Sequence, residues 1–187
     1  MLNDALQLLL DTLLQPFTVI LLLRFHLQWL RAPMRNPFGA FIISLTNFLV
    51  LRTRRFIPSA LGLDTASLLL AYTMEMIYLS ITLWLSISPI GFPVAGLLIL
   101  TLIKLINISI YLLMAALLIQ ALLSWFNPHS SMAGVAASIT KPFLLPLQRR
   151  IPVFGNIDLS LFLLFILCQL ILIVPMHWLE KMARSLF

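Results

Sequence analysis

The chain has 187 residues, of which 61% are hydrophobic and 10% charged, with a mean hydropathy of +1.07. A water-soluble domain has no interior large enough to hide that much apolar surface, so an integral membrane protein is expected and an ordinary soluble domain is excluded. The net charge of +6 has to be read by position along the chain, and the lone Cys168 leaves no internal disulfide to form.

The first apolar run, residues 7–29, has Asp4 and Asp11 near its start and no basic stretch ahead of it, the pattern of a retained membrane segment rather than a cleaved signal peptide. About 20 mostly apolar residues suffice to cross a bilayer. Further runs at 66–88, 94–124 and 158–179 therefore make four predicted spans. The third exceeds what a crossing needs, so either a tilt or an extension past the headgroups toward Trp125 is expected. Trp29, Trp84, Trp125 and Trp178 fall near span ends, where an amphipathic indole sits between tails and water.

Between the first two spans, residues 37–51 carry Phe38, Phe41, Ile42, Leu45, Phe48 and Leu49 at helical spacing on one face, with Gly39, Ser44 and Asn47 off it. The segment is too short to cross and reads as a helix lying in the interface or dipping into it shallowly. Residues 130–147 hold the same place in the second half, with Met132, Val135, Ala136 and Ile139 ahead of Pro142 and Pro146, which are expected to break regular helix.

Arg31, Arg35, Arg52, Arg54 and Arg55 lie between the first and second spans, and Lys141, Arg149 and Arg150 between the third and fourth, together eight of the twelve basic residues. The link 88–94 carries no charge. The positive-inside rule places both basic connections in the cytoplasm and both termini outside, with Lys181 and Arg184 a smaller weight in the opposite direction. Residues 1–93 and 94–187 then begin and end on the same sides, as two parallel membrane repeats about an axis along the membrane normal.

The two halves share a polar element. Arg55-x-Ile57-Pro58 followed by Asp64 recurs 94 residues later as Arg149-x-Ile151-Pro152 followed by Asp158, with Thr46 and Thr140 in the same register. The residue before proline is pushed out of the helical region, so each Ile-Pro ends a segment. Asp64 and Asp158 stand immediately before apolar runs, where a carboxylate caps exposed N–H groups and meets the positive helix end. In the simplest reading the basic residues fix topology, proline makes a corner and aspartate starts the next span. In a compatible functional reading Arg52, Arg54, Arg55, Lys141, Arg149 and Arg150 hold anionic lipid headgroups, at about 1 kcal/mol per basic residue, or dock an acidic partner.

The run Thr140-Lys141-Pro142-Phe143-Leu144-Leu145-Pro146-Leu147-Gln148-Arg149-Arg150-Ile151-Pro152, with Gly155-Asn156-Ile157-Asp158-Leu159-Ser160 after it, resembles the signature of the YggT family, which includes the YlmG proteins of Gram-positive bacteria and plastids. The first half keeps Thr46, Arg54-Arg55, Ile57-Pro58 and Asp64 but has Phe48 and Arg52 where Pro142 and Pro146 stand in the second. The two-copy layout covers nearly the whole chain and is similar to the proteobacterial branch. The resemblance implies a small multi-pass protein of the bacterial inner membrane without an assigned catalytic activity. Bacterial members are linked to osmotic or ion homeostasis and to the neighbourhood of division genes. Plastid relatives are linked to organelle division, nucleoid distribution and assembly of a cytochrome complex. No catalytic or ligand residue is carried over.

Two charges fall inside spans. Glu75 is 13 residues before Ser88 and Lys104 is 10 after Val94, which puts them within about 5 Å of the same depth. A Glu75–Lys104 pair across adjacent helices would offset the cost of burying either charge, at least about 2.5 kcal/mol. The alternative is a proton or ion pathway. Asp11 and Arg24 lie nearer span ends and are expected to snorkel to the interface. His26, His129 and His177 are far apart with no ligand-spaced companions, so no metal site is expected. No phosphate loop, nucleophile elbow or catalytic carboxylate pair is present, and basic residues at a membrane face do not by themselves argue for nucleic acid.

The sequence therefore predicts an all-α integral membrane fold, with four transmembrane helices in two parallel repeats, each carrying a cytoplasmic-side amphipathic interfacial segment. The expected function is that of a non-enzymatic factor without a cofactor, organising lipids or assisting membrane-protein assembly, division or osmotic and ion homeostasis. Its expected partners are anionic lipid headgroups, other membrane proteins or further copies of itself. The competing reading is a small oligomeric transporter or channel subunit.

Overall fold

A computed structural model describes residues 2–57, 63–86, 94–150 and 159–185. The described residues form an all-α fold of α1 (Leu2–Trp29), α2 (Pro37–Thr53), α3 (Thr65–Ser86), α4 (Val94–Phe126), α5 (Ser131–Gln148), α6 (Leu159–Ile171) and α7 (His177–Arg184). A π-helical turn, Leu172–Met176, joins α6 to α7, so these run on as one rod. Four helical stretches are long and apolar enough to cross a membrane: Asn3–Trp29, Thr65–Leu85, Val94–Phe126 and Leu159–Arg184. At 1.5 Å per residue the 33 residues of α4 reach about 50 Å, well past a hydrocarbon core of about 30 Å.

Polarity is distributed as a bilayer requires. Leu8, Leu13, Ile77, Leu102, Phe162 and Ile173 are exposed, whereas Thr18, Arg24, Thr46, Asp64, Ser67, Glu75, Thr101 and Asn107 are buried. Small residues allow close helix approach. Ala66 and Ala71 of α3 are fully buried in a cluster with Leu21 and Leu22 of α1, Val50 of α2 and Leu105 of α4. A second cluster joins Leu27, Ala32, Ile42 of α2, Ala116 of α4, and Val135 and Ile139 of α5, so both connecting helices pack at the same end of the bundle.

Local chemistry sets the ends of these helices. Asn36 caps α2 by accepting from the Gly39 N–H at 2.8 Å, and Ser130 caps α5 by accepting from the Ala133 N–H at 3.1 Å. A Cβ at position 39 would lie 2.3 Å from the Met34 carbonyl oxygen, so only glycine allows the chain to fold back so tightly there. The starts of α2 and α5 are 94 residues apart, as are those of α3 and α6.

One sequence expectation needs correction. Pro142 and Pro146 do not break α5, which continues through both to Gln148. Each proline leaves one carbonyl without its intrahelical donor, and Lys141, Pro142 and Phe143 are exposed, so that face can be solvated instead. In α2 most of the phenylalanine stripe faces outward. Phe41, Leu45, Phe48 and Leu51 are exposed, and Gly39, Ile42, Thr46 and Val50 form the face that packs. The polar Thr46 turns inward because a buried arginine needs it.

Candidate functional site

That arginine is Arg24, whose side chain is 7% exposed and which turns into the protein instead of snorkelling. Its Nη1 donates to the Thr46 hydroxyl at 2.6 Å and to Asn47 Oδ1 at 3.0 Å, and its Nε lies 3.3 Å from Asp64 Oδ2. Arg54 reaches the same carboxylate from the C-terminal end of α2, with Nη2 at 2.8 Å from Oδ2 and Nε at 3.3 Å from Oδ1. Ser67 donates its hydroxyl to Oδ2 at 2.6 Å and its N–H to Oδ1 at 3.4 Å, which makes Asp64 the cap of α3. One fully buried carboxylate thus ties α1, α2 and α3 together. Burial pushes its pKa up, but hydrogen bonds from Arg54 and Ser67 and the charges of Arg54 and Arg24 outweigh that, leaving it below the ordinary carboxylate value.

A second polar centre lies where all four spans meet. A cavity of about 670 Å³ is lined by Gln15 of α1, Glu75 of α3, Lys104 and Asn107 of α4, and His177 and Glu180 of α7. Glu75 lies ten residues, about 15 Å, into the 22-residue α3, near the middle of that span, and Lys104 lines the same cavity from α4. Lys104 Nζ is 3.0 Å from Glu180 Oε1, and Asn107 Nδ2 donates to the same oxygen at 2.5 Å. The lysine therefore takes Glu180 as its ion-pair partner, while Glu75, the partner considered from the sequence, lines the same cavity close enough to feel the lysine's charge. Glu75 is 1% exposed, and its Oε2 has no hydrogen-bond partner; the same holds for Asn107 Oδ1. Counting the acids and the base, the cavity holds two carboxylates against one ammonium and carries one formal negative charge in excess.

The π turn explains how Glu180 arrives there. One extra residue per turn rotates everything beyond it by about 100°, and such turns recur at functional sites. Pro175, inside the turn, was its only sequence signal. Glu180 and Asn107 escaped the sequence reading because neither has a local pattern: one lies near the end of the last span, the other among isoleucines and leucines.

The basic connections divide into inward and outward residues. Arg54 is engaged with Asp64, whereas Arg52, Arg55, Lys141, Arg149 and Arg150 are exposed and have no acidic partner among the described residues. Pro58, Ile151, Pro152 and Asp158 lie outside the described residues. Thr140 is as buried as Thr46 and meets the side-chain amide of Gln120 from α4. Ninety-four residues on from Arg24 and Arg54 stand Leu118 and Gln148, so the second half lacks both arginines that hold Asp64. Near the opposite end of α1, Asp11 accepts from the Tyr78 hydroxyl at 2.7 Å.

Comparison with known proteins gives this arrangement a family. The chain is 35% identical over 171 residues to the uncharacterized protein YggT of Escherichia coli strain K12, covering 90% of this chain and 87% of that one. It is 35% identical over 165 residues to an uncharacterized protein of Vibrio alginolyticus named for the proC 3' region, covering 87% and 89%. An uncharacterized Pseudomonas aeruginosa protein is 34% identical over 172 residues, covering 91% and 87%. No solved structure matches. The family model described as CCB3/YggT matches residues 3–86 and 99–179, both sides of the polar cavity, and with relatives this similar over nearly their whole lengths the chain belongs to the CCB3/YggT family.

Proposed function

We propose that the protein is a non-enzymatic component of the bacterial inner membrane that handles a proton or small cation within the bilayer, working as a subunit of a small oligomeric transporter or channel. The observation that carries this reading is Glu75. A carboxylate at mid-bilayer depth with an unpartnered oxygen is costly, and ionisable groups so placed mark ion pathways by default. Because Lys104 is neutralised by Glu180, the excess negative charge of the cavity is balanced by one proton or one monovalent cation at Glu75. Four spans enclose little volume, so a through-path would be completed between copies of the chain. In this reading the basic connections face the cytoplasm and the termini the periplasm, where the positive-inside rule puts them.

The test is flux through vesicles containing the full chain. The wild type should dissipate an imposed proton or potassium gradient, and Glu75→Gln should reduce that flux at least tenfold while leaving the thermal midpoint equal or higher, since a buried unpaired carboxylate is removed. Equal flux from the wild type and Glu75→Gln, or none from either, would sink the idea.

A second reading rests on a separate observation. The outward-facing Arg52, Arg55, Lys141, Arg149 and Arg150 suit a surface that gathers anionic headgroups or an acidic membrane partner and so organises lipids, assembly or division around the protein.

A further inference from the structure

On the basic side of the bundle two hollows lie side by side, with Trp29 and Leu30 in the walls of both. The first, about 350 Å³, is almost wholly apolar and lies between α1, α4 and α5, with Phe25, Trp29, Ile106, Leu113 and Phe143 among its walls. The second, about 430 Å³, shares Trp29 and Leu30 with it and adds Arg31, Ser138 and Lys141. Along α4 the apolar groove extends from Leu113 to Leu102, eleven residues or about 16 Å, close to the depth of one leaflet of a 30 Å core. A greasy channel one leaflet deep with two cations at its mouth has the shape and charge of a single lipid.

We propose that these adjacent hollows together form a binding site for one anionic phospholipid of the leaflet on the basic side, with an acyl chain in the Phe25–Phe143 groove and the phosphate between Arg31 and Lys141. Neither cation has an acidic partner among the described residues, so both are free to pair with a phosphate. Phe25 stacks on Trp29 with ring centroids 6.0 Å apart, and His26 lies 5.9 Å from the same indole, which gives the groove a stiff aromatic wall.

The backbone at Arg31 is a further pointer. Its φ is 52°, the left-handed region. The Arg31 N–H bonds the Gln28 carbonyl at 3.2 Å and the Ala32 N–H bonds the Leu27 carbonyl at 2.8 Å, the pattern of a helix end that ordinarily takes glycine. Arginine is the poorer residue for that backbone; its charge at a helix C-terminus is one compensation, and a ligand contact by its side chain would be another. A phosphate held at the end of the span would provide such a contact.

This site rests on the headgroup reading only through Lys141 and does not depend on ion flux. Full-length protein is exchanged into nanodiscs of phosphatidylcholine containing a tenth phosphatidylglycerol, and the lipid retained after re-extraction is identified by native mass spectrometry. One phosphatidylglycerol per chain is expected. Arg31→Gly with Lys141→Gln should cut its retention by about twenty-five-fold, fivefold for each cation. Ile106→Trp, which fills the groove, should release it with both cations intact. Arg31→Gly relaxes the backbone, so an unchanged or raised thermal midpoint separates lost binding from lost folding. Loss of retention on Arg52→Gln with Arg55→Gln instead would overturn the site while leaving a general headgroup surface standing. Equal retention of phosphatidylcholine, indifference to Ile106→Trp, or competition by glycerol phosphate as strong as by lipid would also overturn it.

Discussion

Asp64 survives full burial because two guanidinium groups and a serine reach it, so every lone pair that leaves water finds a donor. Removing one member of such a cluster strands the others. Asp64→Asn should destabilise the protein by about 3–5 kcal/mol, because Arg24 then keeps a buried charge with no counter-charge beside it. Adding Arg24→Leu, the residue found at position 118, should recover part of that loss. Thermal unfolding of the solubilised single and double variants checks both statements, and additive losses would contradict the cluster. The direction of pH dependence follows from the lowered pKa of Asp64. Its stabilisation is complete above the ordinary carboxylate value of about 4 and is lost as pH falls through the lower native value. Wild-type protein should therefore resist acid to below about pH 4, and Asp64→Asn should lack that acid-sensitive limb. The place of Asp64 ahead of an apolar run could be read in the sequence. The inward turn of Arg24 could not, because snorkelling and burial differ only by what a neighbouring helix offers, here Thr46 and Asn47.

At the scale of elements, apolar runs of about twenty residues announced the four spans, since a bilayer admits few alternatives to a helix. Departures from regular helix were harder to read, because proline has two outcomes. In α5 the solvated face tolerates Pro142 and Pro146. In the last span Pro175 sits in a π turn that carries Glu180 round to Lys104. Pro175→Ala restores the missing N–H and should let that turn close to α-helix without losing a residue, swing Glu180 away by about 100° and leave Lys104 uncompensated, at a cost of at least about 2.5 kcal/mol. Deleting Val174 instead removes the extra residue and should keep Glu180 beside Lys104, with the thermal midpoint much closer to that of the wild type. If the deletion is as costly as Pro175→Ala, the π turn has no part in placing Glu180.

For the whole molecule, composition and hydropathy sufficed to define a four-span membrane protein, whereas the meeting of Gln15, Glu75, Lys104 and Glu180 in one cavity required the packing of helices distant in sequence. Sidedness depends on the two basic connections sharing one face. Gly91→Cys and Gly134→Cys, each made in a Cys168→Ser background, should label with impermeant reagent from opposite sides of intact cells and inverted vesicles. Labelling from one side would overturn the arrangement. Position 134 accepts the side chain, its nearest neighbour being Pro33 Cγ at 4.0 Å. The cavity also bears on how such a protein is put together. Residues 2–86 contribute Glu75 but no lysine to it, and residues 94–185 contribute both Lys104 and Glu180. Carrying both sets in a single polypeptide brings the Glu75 carboxylate beside the Lys104–Glu180 pair once per chain, in a fixed ratio of two acids to one base.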